Sequence, residues 1–322
     1  MLPDSGPVRD HPLHLHSLLN AIPQPFYLVG PTGSGKSALA VALAELWGGE
    51  IVNADAFQLY RGLDICTAKP SPADMARVPH HLYGVLATTE LGDAAFYAEL
   101  ARPIIADILS RNLVPIVVGG SGLYVKALTH GLSPLPSDEG LRLKLAELTP
   151  AERVCWLLER DPEAEQTVNL KNDRYVSRAL EICLLTGERQ SALRQAWKAE
   201  PPAYEGICLV WNREALQARV NQRVHDMVAA GLVAEIRDAG ALSVTAGKAI
   251  GVREIRSHLE GAATLEEAVA AIQQATRQYA QRQAKWFRRE KGFRRLEVSE
   301  GDTIEELMAA AAQHRTHAAP PP

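Results

Sequence analysis

A glycine-rich octapeptide near the N-terminus has the residue types and spacing of a phosphate-binding loop. Residues 30 to 37 read GPTGSGKS, which fits the pattern G-x-x-x-x-G-K-[ST]. In such a loop the glycines let backbone N–H groups surround a phosphate, and the following helix adds the positive end of its dipole. The residues expected to bind the phosphate are Gly30, Pro31, Thr32, Gly33, Ser34, Gly35, Lys36 and Ser37.

Two side chains of this loop have separate chemical tasks. The Lys36 ammonium is expected to contact bridging or terminal phosphate oxygens, and the Ser37 hydroxyl is expected to bind Mg²⁺, the predicted cofactor. The run FYLV before the loop is typical of a buried strand, and KSALAVALAELW after it is typical of a packed helix. The motif is specific in this strand–loop–helix context, so we expect a phosphorylated ligand, with ATP among the candidates on the motif alone.

Asp55 is the second residue with evident chemical potential, because it directly follows the β-rich run EIVNA at 50–54. A carboxylate there can position Mg²⁺, act as a base, or merely stabilise a turn. Many nucleotide hydrolases end a second apolar strand in an acidic residue, but the run LVPIVVGG at 113–120 is followed by Ser121. Nucleotide hydrolysis therefore does not follow from the loop.

The elements that carry these residues indicate an α/β fold. Strand-like runs, including GICLVW at 206–211, alternate with helical patterns, which predicts a P-loop NTPase-like parallel sheet flanked by helices. Residues 131–205 contain helical patterns without a convincing strand and are predicted to form a helical insertion domain. We predict a disordered tail at 1–24, a catalytic core formed by 25–130 and 206–308, and a second disordered tail at 309–322.

Composition excludes little but points to a compartment. The net charge of −4 gives no overall attraction to nucleic acid, yet residues 277–295 contain eight basic residues and one acidic residue. The four cysteines have neither zinc-ligand nor C-x-x-C spacing, and no stretch is apolar enough for a signal peptide or a membrane span. These features predict a reduced cytoplasmic protein without a membrane partner.

Six sequence blocks carry a family resemblance. They are DAFQLYRGLDICTAKP (55–70), PHHL (79–82), VVGGSGLYVKAL (117–128), NDRYVSRALEI (172–182), KAIGVREI (248–255) and TRQYAQRQAKWFRR (276–289). In this order the chain resembles the bacterial tRNA dimethylallyltransferases, also called tRNA isopentenyltransferases, over roughly residues 26–295. The resemblance implies transfer of a dimethylallyl group from dimethylallyl diphosphate to N6 of the adenosine 3′ of the anticodon, at position 37 of tRNA.

This implied reaction gives N6-isopentenyladenosine and releases diphosphate, so the loop would hold a leaving diphosphate. The implied partners are the tRNA anticodon stem-loop and dimethylallyl diphosphate, and a monomer is expected. By resemblance, Asp55 is the catalytic base and Ser121 orients the amine. Lys36 and Arg223 would stabilise the charge that grows on the diphosphate. Arg219 and Arg223, four residues apart on one helix face, would both bind the diphosphate.

The resemblance also implies a set of tRNA-binding residues. Gln58 is expected to read the adenine edge, and three cations of the basic C-terminal helix are expected to contact phosphates. Trp286 fits either a core anchor or a stacking platform, and each arginine in the NDRYVSRALE block fits a structural role equally well. The full set is Asp55, Ala56, Phe57, Gln58, Ser121, Arg174, Arg178, Lys248, Arg253, Arg282, Lys285, Trp286 and Arg288.

Two positions depart from the family pattern, since Ala56 stands where serine is usual and Cys66 stands where glycine is usual. Three alternatives to a tRNA-modifying enzyme also remain open. A P-loop small-molecule kinase would consume ATP, and an isopentenyltransferase for free adenine nucleotides would not need RNA-binding helices. A non-catalytic RNA-binding protein would bind diphosphate without turnover.

Overall fold

The computed structural model describes residues 24–131, 135–196 and 204–316. The strands are β1 (Phe26–Val29), β2 (Gly49–Asn53), β3 (His80–His81), β4 (Val114–Gly119), β5 (Glu205–Trp211) and β6 (Arg294–Val298). The helices are α1 (Lys36–Trp47), α2 (Pro72–Arg77), α3 (Ala94–Ser110), α4 (Gly122–Thr129), α5 (Glu139–Ala146), α6 (Pro150–Arg160), α7 (Ala164–Thr167), α8 (Asp173–Thr186), α9 (Gln190–Ala196), α10 (Arg213–Ala229), α11 (Leu232–Asp238), α12 (Val252–Leu259), α13 (Leu265–Phe287) and α14 (Ile304–Thr316).

The six strands form one parallel sheet in the order β3-β2-β4-β1-β5-β6. The first strand lies at the centre, where Phe26 pairs with Ile116 of β4 on one side and Glu205 of β5 on the other. Every residue of β1, β2 and β4 is buried, as expected for strands covered on both faces. The predicted α/β fold with a parallel sheet is confirmed.

The central position of β1 matters because the carboxyl ends of parallel strands meet at one edge. The phosphate loop leaves β1 there, Asp55 follows β2, and Ser121 follows β4. Open α/β sheets place their ligands at this edge. The fold thus collects three sequence-distant segments before any side chain is considered.

The core continues beyond the predicted C-terminal boundary. Residues 309–316 belong to α14, whereas the sequence predicts a tail from residue 309. Leu307 and Ala311 of this helix are buried in the cluster that covers β1, β4 and β5, together with residues of α1. The sequence pattern does not indicate this helix, because its buried side is formed largely by alanines, which give a weak hydrophobic periodicity.

Two strands escaped the sequence analysis. Strand β3 has only two residues, which is too short for an alternating pattern. Strand β6 reads RRLEV, and only Leu296 and Val298 of it are buried. This charged edge segment is extended because it pairs with β5.

The chain divides into two compact units, formed by the described parts of Met1–Thr129 with Ala203–Pro322, and of His130–Pro202. The second unit contains α5 to α9, and its described residues include no strand. Its core packs Leu157 of α6 against Val176 and Leu180 of α8. The predicted tail at 1–24 lies outside the described residues except for Gln24. Among the described residues, no helix combines the length and apolarity needed to cross a bilayer.

Candidate active site

The phosphate loop has the backbone conformation that its glycines permit. Gly33 and Gly35 have φ values of 80° and 88°, in the left-handed region that favours glycine. A Cβ at position 33 would also lie 3.0 Å from Val220 Cγ2 of α10. Helix α1 begins directly after Gly35, so its N-terminal dipole is aimed at the loop.

Lys36 is held inside this loop. Its Nζ donates a hydrogen bond to the carbonyl oxygen of Pro31 at 2.7 Å. Burial lowers the pKa of Lys36 to about 8, because the desolvation of the ammonium outweighs the favourable charge of Asp55. An anionic ligand in the site would stabilise the ammonium and so raise the pKa of Lys36.

Three side chains from β5 and α10 hold three consecutive loop residues. Trp211 Nε1 donates to the Ser34 carbonyl at 3.0 Å, Arg219 Nε donates to the Gly33 carbonyl at 3.1 Å, and Arg223 Nη1 donates to Thr32 Oγ1 at 3.2 Å. The Arg219 guanidinium also lies 4.6 Å from the centre of the Trp211 ring. Two of these bonds are accepted by loop carbonyls, and the third is accepted by the Thr32 side chain.

Both arginines line the cleft above the loop, as the one-face spacing predicts. Asp226, an alternative partner for this basic face, instead accepts a hydrogen bond from Gln222. Burial lowers the pKa of Arg223, with the charge of Asp55 acting in the opposite direction. Direct binding of diphosphate by Arg219 and Arg223 stays a prediction.

Asp55 is fixed by the residue two positions earlier. The buried Asn53 accepts the Asp55 backbone N–H at 2.9 Å through Oδ1 and donates to the Asp55 carbonyl at 3.0 Å through Nδ2. Asp55 Oδ1 in turn accepts the Phe57 N–H at 3.1 Å. This local ring of bonds holds the carboxylate at the end of β2.

The pKa of Asp55 is raised above its ordinary value because burial disfavours the charged carboxylate. The Phe57 N–H and the positive charges of Lys36 and Arg223 oppose this shift. A carboxylate with a raised pKa is a stronger base than an exposed one, provided that it is ionised at working pH. The environment thus suits proton abstraction.

Ser121 lies beside Asp55 through bonds to its two chain neighbours, and its role in orienting the amine stays a prediction. Its Oγ accepts the Ala56 N–H at 3.0 Å, and its own N–H donates to the Ala54 carbonyl at 3.3 Å. The first bond also satisfies the backbone at Ala56, which keeps this segment in place without the serine that the family pattern has there. The serine hydroxyl retains a proton that it can donate.

Two adjoining cavities meet at Asp55. A cleft of about 890 Å³ is lined by the phosphate loop, Arg219 and Arg223, and a small apolar pocket of about 60 Å³ lies next to it. Aliphatic and aromatic side chains dominate the small pocket, among them Phe57, Val224, Met227, Ile250 and Ile272. The residues common to both cavities are Thr32, Asp55, Thr67, Ala68 and Arg223. A polar phosphate and an apolar group can thus be bound side by side.

The turn at residues 64–69 closes one wall of these cavities. The Glu235 carboxylate accepts the backbone N–H groups of residues 64, 65 and 66, each at 2.7 Å. Gln58 Nε2 donates to the carbonyls of Thr67 and Ala68, both at 3.0 Å. Both bonds use the amide nitrogen of Gln58, and recognition of adenine by its amide oxygen stays a prediction.

Helix α13 presents the predicted RNA-binding cations. Arg282, Lys285 and Arg288 are all exposed, and the Arg282 guanidinium lies 5.8 Å from the Tyr279 ring centre. Trp286 is half-buried against the backbone of Gly122, where any added side chain would collide with the indole. This contact favours a packing role for the tryptophan over a stacking platform.

The remaining predicted RNA contacts differ in their surroundings. Lys248 and Arg253 of the first unit are exposed, and Arg253 pairs with Glu254 at 2.9 Å. In the second unit Arg174 is exposed. Arg178 there binds Glu181 at 2.6 Å and the carbonyls of residues 135 and 136, which assigns it a structural task. Its part in tRNA binding stays a prediction.

Sequence reasoning missed the residues that support the site from behind. Asn53, Trp211, Glu235 and Gln283 all act through hydrogen bonds to backbone groups. Gln283 alone left a signal, because it is a polar residue on the stripe that includes Ala280 and Phe287, both buried. Trp211 and Glu235 bond to segments too distant in sequence for any spacing rule.

The fold and the site together define a class of P-loop proteins. In this class an aspartate lines an apolar pocket beside the phosphate loop, and β4 does not end in the acidic residue that many nucleotide hydrolases have there. The model of the IPP transferase family matches residues 58–290, and the chain belongs to this family. A tRNA dimethylallyltransferase from Geobacter metallireducens is 45% identical over 274 residues, which cover 81% of this chain and 88% of the relative. A tRNA dimethylallyltransferase from Akkermansia muciniphila is 39% identical, and the match covers 90% of this chain and 99% of the relative.

Solved structures agree with this placement. The full-length tRNA isopentenylpyrophosphate transferase from Bacillus halodurans matches with a TM-score of 0.66 and 34% identity, over 90% of this chain and 96% of that one. A eukaryotic dimethylallyltransferase acting on tRNA matches with a TM-score of 0.76 and 26% identity. This match covers 91% of this chain and 77% of that one. Membership of the family that the sequence blocks indicate is thus confirmed.

Proposed function

We propose that this protein transfers a dimethylallyl group from dimethylallyl diphosphate to N6 of adenosine 37 in tRNA, releasing diphosphate. The observation that carries the proposal is the junction of the phosphate cleft and the apolar pocket at Asp55. Its monomeric state and its cytoplasmic location belong to the same proposal.

In the proposed reaction the donor lies across both cavities. Its diphosphate occupies the cleft at the phosphate loop, and its hydrocarbon faces the apolar pocket, which excludes water from the allylic carbon. The adenine amine attacks this carbon as the carbon–oxygen bond to diphosphate breaks. Lys36 and Arg223 stabilise the charge that develops on the departing oxygen.

Asp55 and Ser121 act on the nucleophile. An exocyclic adenine amine is a weak nucleophile, so a carboxylate that accepts its proton assists the attack. Asp55 takes this proton, and the Ser121 hydroxyl orients the amine. To reach the carboxylate the adenine must leave the stack of the anticodon loop, which is the general requirement for chemistry on a base.

The donor set near the loop fits a magnesium ion bound mainly by the substrate. Within 24–131, 135–196 and 204–316, no three His, Cys, Asp or Glu side chains form a metal site of their own. The exposed Ser37 hydroxyl is a suitable single protein ligand, since Mg²⁺ in phosphate sites usually takes its other ligands from phosphate and water. When bound, Mg²⁺ would neutralise charge on the diphosphate.

Incubation with dimethylallyl diphosphate, Mg²⁺ and unmodified tRNA, without ATP, tests the proposal. Nucleoside mass spectrometry should find a dimethylallyl-sized mass increase on adenosine. Product on free adenine nucleotide alone would favour the nucleotide-level enzyme, and phosphorylation that requires ATP would favour a kinase. Binding of RNA and diphosphate without any product would favour the non-catalytic alternative.

The pH dependence of kcat/KM for the donor should be bell-shaped. Asp55 must be ionised, and burial raises its pKa, so the acid limb lies above the ordinary aspartate range. Lys36 must be protonated, and its pKa of about 8 in the free enzyme places the alkaline limb near that pH. Lys36→Arg should move the alkaline limb upward, because a guanidinium stays charged. An alkaline limb that does not move would exclude Lys36 as its cause.

Arg282→Ala should weaken tRNA binding and flatten its salt dependence. Each phosphate contact that is lost reduces the slope of log Kd against log salt by about 0.7 to 0.9. Filter binding at several salt concentrations measures the slope, with the exposed Arg189→Ala as a matched arginine control. A slope equal to that of the parent would make Arg282 an ordinary solvated residue.

A further inference from the structure

Gln283 of α13 is one of the few polar side chains of the first unit that are almost fully buried, with 5% of its surface exposed. Its Oε1 accepts the backbone N–H of Thr32 at 2.8 Å, and its Nε2 donates to the carbonyl of Gly120 at 2.9 Å. Buried amides are kept only where both ends are satisfied, because an unpaired end costs the desolvation of that group. Both ends are satisfied here by backbone of the candidate site.

The two partners belong to different halves of the site. Thr32 lies in the phosphate loop, whereas Gly120 directly follows β4 and precedes Ser121, whose hydroxyl accepts the N–H of Ala56 beside Asp55. Residue 120 has no room for a side chain, because a Cβ there would collide with the Gln283 amide. Tyr279, one turn earlier on the helix, also lies close to the side chains of Ser121 and Gln283.

The opposite face of the same helix carries the exposed cations. Arg282 precedes Gln283 and Lys285 follows it by two positions, so one turn of α13 presents charge outward and an amide inward. RNA phosphates that bind the outer face would restrain the position of the whole helix, because a helix moves as a rigid unit. The inner face then acts on the phosphate loop through the hydrogen bond that Gln283 accepts from the Thr32 N–H.

We propose that Gln283 is a positioning residue that couples occupancy of the RNA surface to the diphosphate site. RNA bound along α13 fixes the helix, and Gln283 transmits this restraint to the Thr32 amide and the Gly120 carbonyl together. Such coupling is reciprocal, so diphosphate tightens RNA by the same factor by which RNA tightens diphosphate. This inference rests on the proposed function, since it presumes that tRNA and a diphosphate are the two ligands.

Calorimetric titration of inorganic diphosphate with Mg²⁺, with and without saturating anticodon stem-loop RNA, measures this coupling. In the parent protein RNA should lower the Kd for diphosphate by about 5- to 20-fold. In Gln283→Met, which keeps the side-chain length and removes both hydrogen bonds, the ratio of the two Kd values should approach one. Gln274→Met, an exposed glutamine on the same helix, should keep the parent ratio.

The ratio of the diphosphate Kd values without and with RNA distinguishes a loss of coupling from a general loss of affinity or stability. A general loss changes both Kd values alike and leaves their ratio unchanged. If Gln283→Met does not fold, Gln283→Leu serves instead. Leucine also lacks both the acceptor for the Thr32 N–H and the donor to the Gly120 carbonyl, and its ratio should also approach one.

Each outcome decides between two statements. A parent ratio near one, or an unchanged ratio in the Gln283 variant that folds, overturns the coupling while the transferase assay can still succeed. Failure of the parent protein to transfer the dimethylallyl group overturns the proposed function instead. A ratio that falls only in the Gln283 variants supports the inference.

Discussion

Asp55→Asn is expected to lower the single-turnover rate of transfer by about 10²- to 10⁴-fold, the range for loss of a general base. The amide keeps an oxygen that can accept the Phe57 N–H, so the segment after β2 should stay in place. It cannot take the amine proton at neutral pH. Rapid-quench measurement with saturating enzyme isolates the chemical step from binding.

Binding should distinguish this effect from misfolding. The Kd for tRNA should change by less than about threefold, because Asp55 contributes to the transition state more than to ground-state affinity. Asp238→Asn, at an exposed aspartate that ends α11, serves as the matched control. A single-turnover rate for Asp55→Asn that matches that of Asp238→Asn would remove Asp55 as the base.

Lys36→Met is expected to lower kcat/KM for dimethylallyl diphosphate by about 10²- to 10³-fold, as for other groups that stabilise developing charge. Methionine has a similar length but no charge, and it cannot donate to the Pro31 carbonyl. The negative charge that grows on the departing diphosphate then loses a buried cation of the phosphate loop. Steady-state kinetics with varied donor and saturating tRNA measure the change.

The affinity for tRNA alone should remain close to that of the parent. Lys144→Met, at an exposed lysine of α5, controls for removal of a positive charge. If the affinity for tRNA fell as much as kcat/KM, the lysine would be supporting the fold rather than the leaving group. Loss of donor turnover with intact RNA binding is the expected pattern.

The sequence predicts the chemical groups of the site better than the framework that holds them. The phosphate loop is identified by spacing alone, because its conformation depends on glycines and on the adjacent strand and helix. The start of α13 is likewise set locally, by the capping box that Thr264 and Glu267 form. The assignment of Asp55 needed the family resemblance, since a single aspartate after a strand has several meanings.

The supporting contacts could not be predicted because they join segments that are far apart in the chain. Glu235 binds the turn at residues 64–66, and no property of a glutamate on a short helix indicates three backbone partners. Trp211 reads as the end of a strand, yet its indole holds the phosphate loop. Only the folded arrangement reveals such contacts.

The two departures from the family pattern have local explanations. Cys66 stands in place of the usual glycine without a left-handed backbone, since Ala68 is the residue of this turn with positive φ. The Cys66 thiol lies 3.2 Å from the Ile250 carbonyl, and burial raises its pKa to about 12. It is therefore a packed, neutral thiol and not a reactive one.

The order of the strands determines when this protein can assemble during synthesis. Strand β1 carries the phosphate loop, but one of its two neighbours, β5, emerges only after the second unit, and Trp211 follows Ser34 by 177 residues. At translation rates of 5–20 residues per second, the gap lasts roughly 10 to 35 s. During that interval β1 has an unpaired apolar edge, the kind of surface that nascent chains use to associate wrongly. The phosphate loop therefore lacks its hydrogen bond from Trp211 until β5 has been synthesised.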